Sequence, residues 1–203
     1  PYMDILRKTR FLPESYLYWL LGTISGAGGG RTAFLMGGYS NTGWWYYFIA
    51  AFMLKTPIPV IIMGVAALLY GLSGKGQRVR IAWLALPALL VFAAISSQKV
   101  NIGLRHVLPA FPFIFTMTGL VAGIRTESMR LAKAVFIISV SWYIWANVSI
   151  FPHQLAYFNE IAGGPDNGAR YLVDSNLDWG QDLKGLKSYM DKKGIEFVNL
   201  GYF

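Results

Sequence analysis

The chain has 203 residues, 55% of them hydrophobic and only 14% charged, with a net charge of +8 and no cysteine. Soluble domains carry roughly a quarter charged residues, so this balance points to lipid as part of the solvent. Disulfides and thiolate metal sites are excluded, and two histidines are too few for a histidine metal cluster, so no metal and no cofactor are expected.

The charge is unevenly placed. Residues 1–150 hold 13 Lys/Arg against 3 Asp/Glu, and residues 151–203 hold 5 against 7. A basic membrane part suits anionic lipid head groups or phosphate as neighbours. Nucleic acid is not an expected partner, because no basic face is separable from the apolar stretches. The chain opens on Pro1 and closes in an expected strand, and reads as an internal segment of a longer protein.

In chain order, residues 1–43 read as an extracytoplasmic loop. It carries an interfacial helix over 11–25, with Pro13 and Glu14 in its first turn, and a glycine break over 27–30. Trp44, Trp45, Tyr46, Tyr47 and Phe48 form an aromatic belt of the kind found at membrane–water boundaries. An interfacial helix over 44–54 is expected next, then a break at Lys55-Thr56-Pro57. Four stretches, 56–72, 81–97, 106–124 and 134–150, approach the roughly 20 apolar residues that cross a bilayer. Pro57, Pro59, Pro87, Pro109 and Pro112 fall in or beside them, where neighbouring helices re-satisfy the freed carbonyls. Asn147 in the last stretch is expected to bond a neighbouring helix. Residues 44–150 thus form a membrane region of about four helices.

Loop charge sets the expected orientation. Lys75, Arg78 and Arg80 lie in one loop, and Arg125, Arg130 and Lys133 in another with only Glu127. Both fall on one side, which the positive-inside rule makes cytoplasmic. Residues 1–43, the loop 98–105 and the tail from 151 are then outside. Arg7, Lys8 and Arg10 also fall outside, against the usual distribution.

The tail, 151–203, reads as the start of an α/β extracytoplasmic domain. A strand over 171–175, a helix over 182–193 and a strand over 196–203 make a βαβ unit with a parallel pair. Asp178 and Gln181 are placed to cap the helix start, and Gly194 follows the basic last turn.

Chemistry gathers at the outer edge of the membrane region. The loop 98–109 brings Lys99, Arg105 and His106 to the outer surface. Arg offers several fixed donors to a lipid-linked phosphate and Lys a point charge. The bland reading is that they snorkel to phospholipid head groups. Lys55, at the break, carries the same two readings. Asp174, Asp178, Trp179, Gln181 and Asp182 crowd a strand-to-helix turn, a common place for ligands in open sheets. Capping and turn chemistry are the plainer account. The spacing fits no calcium loop, and no phosphate-binding glycine loop or serine elbow is present. His153, just past the last stretch, reads as an interfacial residue.

Several motifs then fall in one order. They are Leu12-Pro13-Glu14-Ser15-Tyr16-Leu17-Tyr18, Gly43-Trp44-Trp45-Tyr46-Tyr47-Phe48 with Leu54-Lys55-Thr56-Pro57, and Asn101-Ile102-Gly103-Leu104-Arg105-His106-Val107-Leu108-Pro109 with Pro112-Phe113. Tyr157-Phe158-Asn159-Glu160 with Gly163-Gly164-Pro165 follows, then Asp174-Ser175-Asn176-Leu177-Asp178-Trp179-Gly180-Gln181-Asp182-Leu183. Together they resemble the bacterial branch of the dolichyl-phosphate-mannose protein mannosyltransferase family.

The resemblance implies a C-type glycosyltransferase, multi-pass in the bacterial inner membrane. Such enzymes move a sugar from a polyprenyl-phosphate donor to a protein, lipid or glycan acceptor at the outer face. It implies a general base in an outer loop upstream of this segment, which alone would be inactive. Positive charge aimed at the leaving phosphate makes Arg105 and Lys99 the leading donor-phosphate candidates, with Lys55 and His106 behind. The resemblance names no role for the 174–182 turn, and acceptor recognition and domain packing stay open. A transporter or flippase and a non-catalytic assembly protein are the competing functions. The first would need facing charges inside spans and inverted repeats, which the sequence does not display.

Overall fold

The computed structural model describes residues 31–123 and 129–200, together with 13, 15, 16, 18 and 22. Arg7, Lys8, Arg10, the 27–30 break, residues 125–128 of the second basic loop and most of the expected 11–25 helix lie outside the described residues. The fold is predominantly helical. It starts with a hairpin that local sequence signals did not suggest, β1 (Ala33–Leu35) antiparallel to β2 (Gly38–Ser40). Its two-residue turn, Met36-Gly37, has positive φ at both positions, as a turn matched to strand twist requires. Met rather than Asn at the first position hides that signal. Phe34 and Tyr39 pair edge-to-face across the strands at 5.1 Å. The Met36 amide donates to the Tyr171 carbonyl, which ties the hairpin tip to the tail.

The break at 55–57 is present. α1 (Tyr47–Lys55) ends at Thr56, whose backbone is extended, as the residue before a proline prefers. α2 (Ile58–Gly71) then leaves at 113° to α1, with Pro59 in its first turn. α3 (Lys75–Ser96) runs back against α2, and Gly71 lets Ile81 approach the helix closely. A 3-10 segment, Leu104–Ala110, leads into α4 (Phe111–Gly119), and α5 (Met129–Ser149) follows. Two helical segments, Lys75–Ser96 and Leu104–Ala122, are long and apolar enough to cross a membrane, and the bent α1–α2 pair makes a third if it is one span. The fourth predicted stretch, 134–150, is helical to Ser149 within α5.

The shafts stay largely uncovered. Trp83, Leu86, Leu89 and Leu90 of α3 and Ile137, Ile138 and Trp145 of α5 are exposed. The core gathers instead at the end where hairpin, α1, the 3-10 segment and tail meet. Tyr47, Phe48, Ala51, Val107, Ala110, Phe158 and Leu172 are buried together there. Tyr47 and Phe48 are therefore core residues, and only part of the predicted belt, such as Trp45, faces outward.

The tail corrects the βαβ expectation. Residues 171–175 form no strand, because the amides of Tyr171 and Leu172 both turn back to the Gly168 carbonyl at 3.0 Å. Asp174–Asn176 is a 3-10 turn, and 195–200 are exposed without regular structure. Among the described residues the tail has no sheet. Its helix is present as α6 (Leu183–Lys193), closed by Gly194 at φ 66 with Lys192 and Lys193 in the last turn. Asp178 and Gln181 do not cap it. Asp178 accepts from the Gly180 amide at 3.0 Å and Gln181 from the Trp179 amide at 2.7 Å, so both shape the turn before it.

Candidate functional site

Two buried asparagines of the tail organise the end of the molecule where the chemistry-bearing residues lie. Asn159, just after the core residue Phe158, donates from its amide nitrogen to the carbonyls of Met53 (2.6 Å) and Thr56 (2.8 Å). Its side-chain oxygen accepts from the amides of Ile161 and Ala162, which start a 3-10 turn. A helix end leaves carbonyls without intrahelical partners, and Asn159 supplies them at the α1 break. Asn176 accepts from the Leu104 amide (3.0 Å) and donates to the Tyr47 hydroxyl (2.9 Å) and the Val173 carbonyl (3.1 Å).

Lys55 is buried between these anchors. Its Nζ donates to the Leu155 carbonyl at 2.8 Å and to the Asn176 carbonyl, and stands 4.3 Å from the Phe158 ring centroid. On the other flank, Asn101 accepts from the Trp44 amide. Gly43, at φ +70, leaves the room this needs, because a Cβ there would run into the Asn101 side chain.

These ties enclose a cavity of about 320 Å³ between the 3-10 segment, α4, α5 and the tail. Ligand sites start at about this size. Leu104, Leu108, Phe111, Phe115, Tyr143 and Ile150 make its apolar wall. Lys55, Arg105, Asn147, Gln154, Tyr157, Ser175, Asn176 and Trp179 supply its polar part. Among the described lining residues there is no carboxylate. The Tyr157 hydroxyl is buried and has no hydrogen-bond partner. Burial, with Glu160 beside it, pushes its phenol up to about 12, so the group stays neutral. Glu160 is held in turn by the indole N–H of Trp142 on α5 at 2.9 Å.

The four donor-phosphate candidates therefore separate. Arg105 and Lys55 line the cavity, whereas Lys99 is exposed on the loop and His106 packs edge-on to Phe48 at 5.9 Å. Of Asp174, Asp178, Trp179, Gln181 and Asp182, only Trp179 lines the cavity, where its ring lies 5.0 Å from the Arg105 guanidinium. Asp182 instead contacts His153 Nδ1 at 3.2 Å, at the surface. Asn147 bonds the Tyr143 carbonyl one turn back, not a neighbouring helix, because that carbonyl lies within reach of its own side chain. Ser175, Asn176, Tyr157 and Asn159 were missed as site residues. Their only local signal was membership of the Asp174-Ser175-Asn176 and Tyr157-Phe158-Asn159 stretches.

Asp174 opens the turn at φ 59, a left-handed conformation that Asp tolerates better than most residues. Asp174→Val is expected to cost about 1–2 kcal/mol of stability, because a branched Cβ is strained there. Asp174→Asn is expected to stay within about 0.5 kcal/mol of the parent. Thermal unfolding in detergent measures both.

The cavity sets the Arg105 guanidinium, beside the Trp179 ring, next to an apolar wall, a combination that suits an anionic head on an apolar tail. Comparison with protein-family models, with curated proteins and with solved structures returned no match to this chain.

Proposed function

We propose that the chain is the donor-binding part of an integral-membrane glycosyltransferase that uses a polyprenyl-phosphate sugar. The observation that carries this reading is the cavity itself. Arg105, beside Trp179, marks its polar end, and Phe111, Phe115, Leu108 and Ile150 its apolar wall. A phosphate needs the first and an isoprenoid chain the second. The uncovered apolar shafts of α3 and α5 support a bilayer setting, because water tolerates contiguous apolar surface poorly. On this reading the protein is a multi-pass protein of the bacterial inner membrane, with the cavity and tail at the outer face.

In the transfer, the bond from the sugar's anomeric carbon to the donor phosphate breaks, and the phosphate keeps the electron pair. The acceptor's oxygen forms the new bond and loses its proton to a base. Arg105 stabilises the charge that grows on the leaving phosphate. The base comes from outside the described cavity wall, which has no carboxylate. The acceptor is a protein, lipid or glycan hydroxyl.

Arg105→Ala in the intact protein is expected to lower transfer from a radiolabelled polyprenyl-phosphate hexose roughly 100-fold, the effect of losing one preorganised donor to developing charge. Transfer unchanged in that variant would remove Arg105 from the site. Absence of transfer by the parent protein with any such donor would count against the whole reading.

A further inference from the structure

We propose that the turn 174–179 is the positioning device of Arg105, with Asn176 and Trp179 as positioning residues. The inference rests on the donor-binding reading above and assigns the turn its part in it. Three consecutive residues before Arg105 are gripped by two consecutive residues of the turn. The Ile102 carbonyl accepts from the Ser175 hydroxyl. Gly103 packs against Ser175 so closely that a Cβ would collide with its hydroxyl. The Leu104 amide donates to the Asn176 side chain at 3.0 Å. Trp179 then lays its ring beside the guanidinium at 5.0 Å, a cation–π contact that limits where a long, flexible side chain can point.

The grip is itself anchored. Asn176 is fully buried, and both of its donors and its acceptor are used. Its carbonyl takes the Lys55 Nζ, so the turn, the α1 break and the outer loop share one node. Three of the neighbouring polar side chains also have partners within the tail. Asp178 and Gln181 bind backbone amides of the turn, and Asp182 contacts His153. Positioning a single charged donor to within a fraction of an ångström is what a phosphate leaving group demands of its site.

Two measurements on the intact protein in detergent test this. The first needs no ligand: hydrogen exchange of the Leu104 amide is expected to be slow in the parent and clearly faster in Gly103→Ala, in which the collision with Ser175 opens the grip. Equal exchange overturns the proposal whatever the protein binds. The second is binding of a short-chain polyprenyl phosphate. Trp179→Leu is expected to weaken it about tenfold, as loss of a cation–π partner implies, and Trp179→Phe to restore most of it. In an Arg105→Ala background Trp179→Leu should have no further effect. Undiminished binding by Trp179→Leu, or a full additional loss in the Arg105→Ala background, overturns the proposal. A slow Leu104 amide in a parent that binds no polyprenyl phosphate overturns the donor reading and the assigned role together, leaving only the grip.

Discussion

Asn159→Leu is expected to lower the unfolding free energy by about 3–5 kcal/mol, the sum over buried groups that lose their partners at roughly 1–3 kcal/mol each, reduced by relaxation. Leucine fills nearly the same space, so the loss is hydrogen bonding and not a cavity. The carbonyls of Met53 and Thr56 lose their donor and the Ile161 amide its acceptor, while the Ala162 amide keeps the Asn159 backbone carbonyl at 3.1 Å. The bond to Thr56 is buried, with Asn159 1% exposed and Thr56 0%, whereas the bonds with Met53 and Ile161 are part-buried. The backbone amide of Asn159 keeps its bond to the Leu54 carbonyl, which limits the damage to the side chain's share. Thermal or denaturant unfolding in mixed micelles measures the effect. A loss below about 1 kcal/mol, the worth of a single ordinary hydrogen bond, would show that the break is held by something else.

Lys55→Met is the second large effect, and it separates the two roles open to this residue. Methionine matches the length of the stem and removes the nitrogen. The Leu155 and Asn176 carbonyls then lose their donor, and the contact with the Phe158 ring loses its nitrogen. Against this stands the cost of burying an amine, which the variant no longer bears. Two orphaned carbonyls outweigh that relief, and we expect a net loss of about 2–3 kcal/mol. On the proposed donor reading, stabilisation by a polyprenyl phosphate should survive in Lys55→Met, because a ligand stabilises the fold according to its own affinity. Arg105→Ala should show the reverse, near-parental stability with the ligand's stabilisation lost. If Lys55→Met keeps its stability and loses the ligand response, Lys55 belongs to the phosphate site and not to the anchor.

The placement of these residues explains why the tail reads one way along the sequence and packs another. Residues 171–175 have the β-branched and aromatic character of a strand, yet among the described residues no strand pairs with them. The Leu172 side chain is drawn into the core, and the local amides close turns instead. Asp178 and Gln181 have the spacing of a helix cap, but the turn begins earlier and uses them before α6 starts. Tyr47 and Phe48 look like members of an interfacial belt until the tail covers them.

What the sequence determined by itself is local. Proline geometry sets the break at Thr56-Pro57, hydropathy marks the apolar stretches, and Gly194 with two lysines ends α6. The chemical content of the loop 98–109, Arg105 included, is legible in the same way. The tertiary structure alone decided which of four cations share a cavity, why Lys55 is occupied, and that Asn159 and Asn176 are the anchors. The physical reason is distance along the chain. Periodicity and spacing report what a residue meets within a few positions, whereas the partners of Asn159 lie 103 and 106 residues away and the Tyr47 partner of Asn176 lies 129. A buried amide has no local pattern to announce it; it acquires its meaning only when the tail folds back over the α1 break and the outer loop.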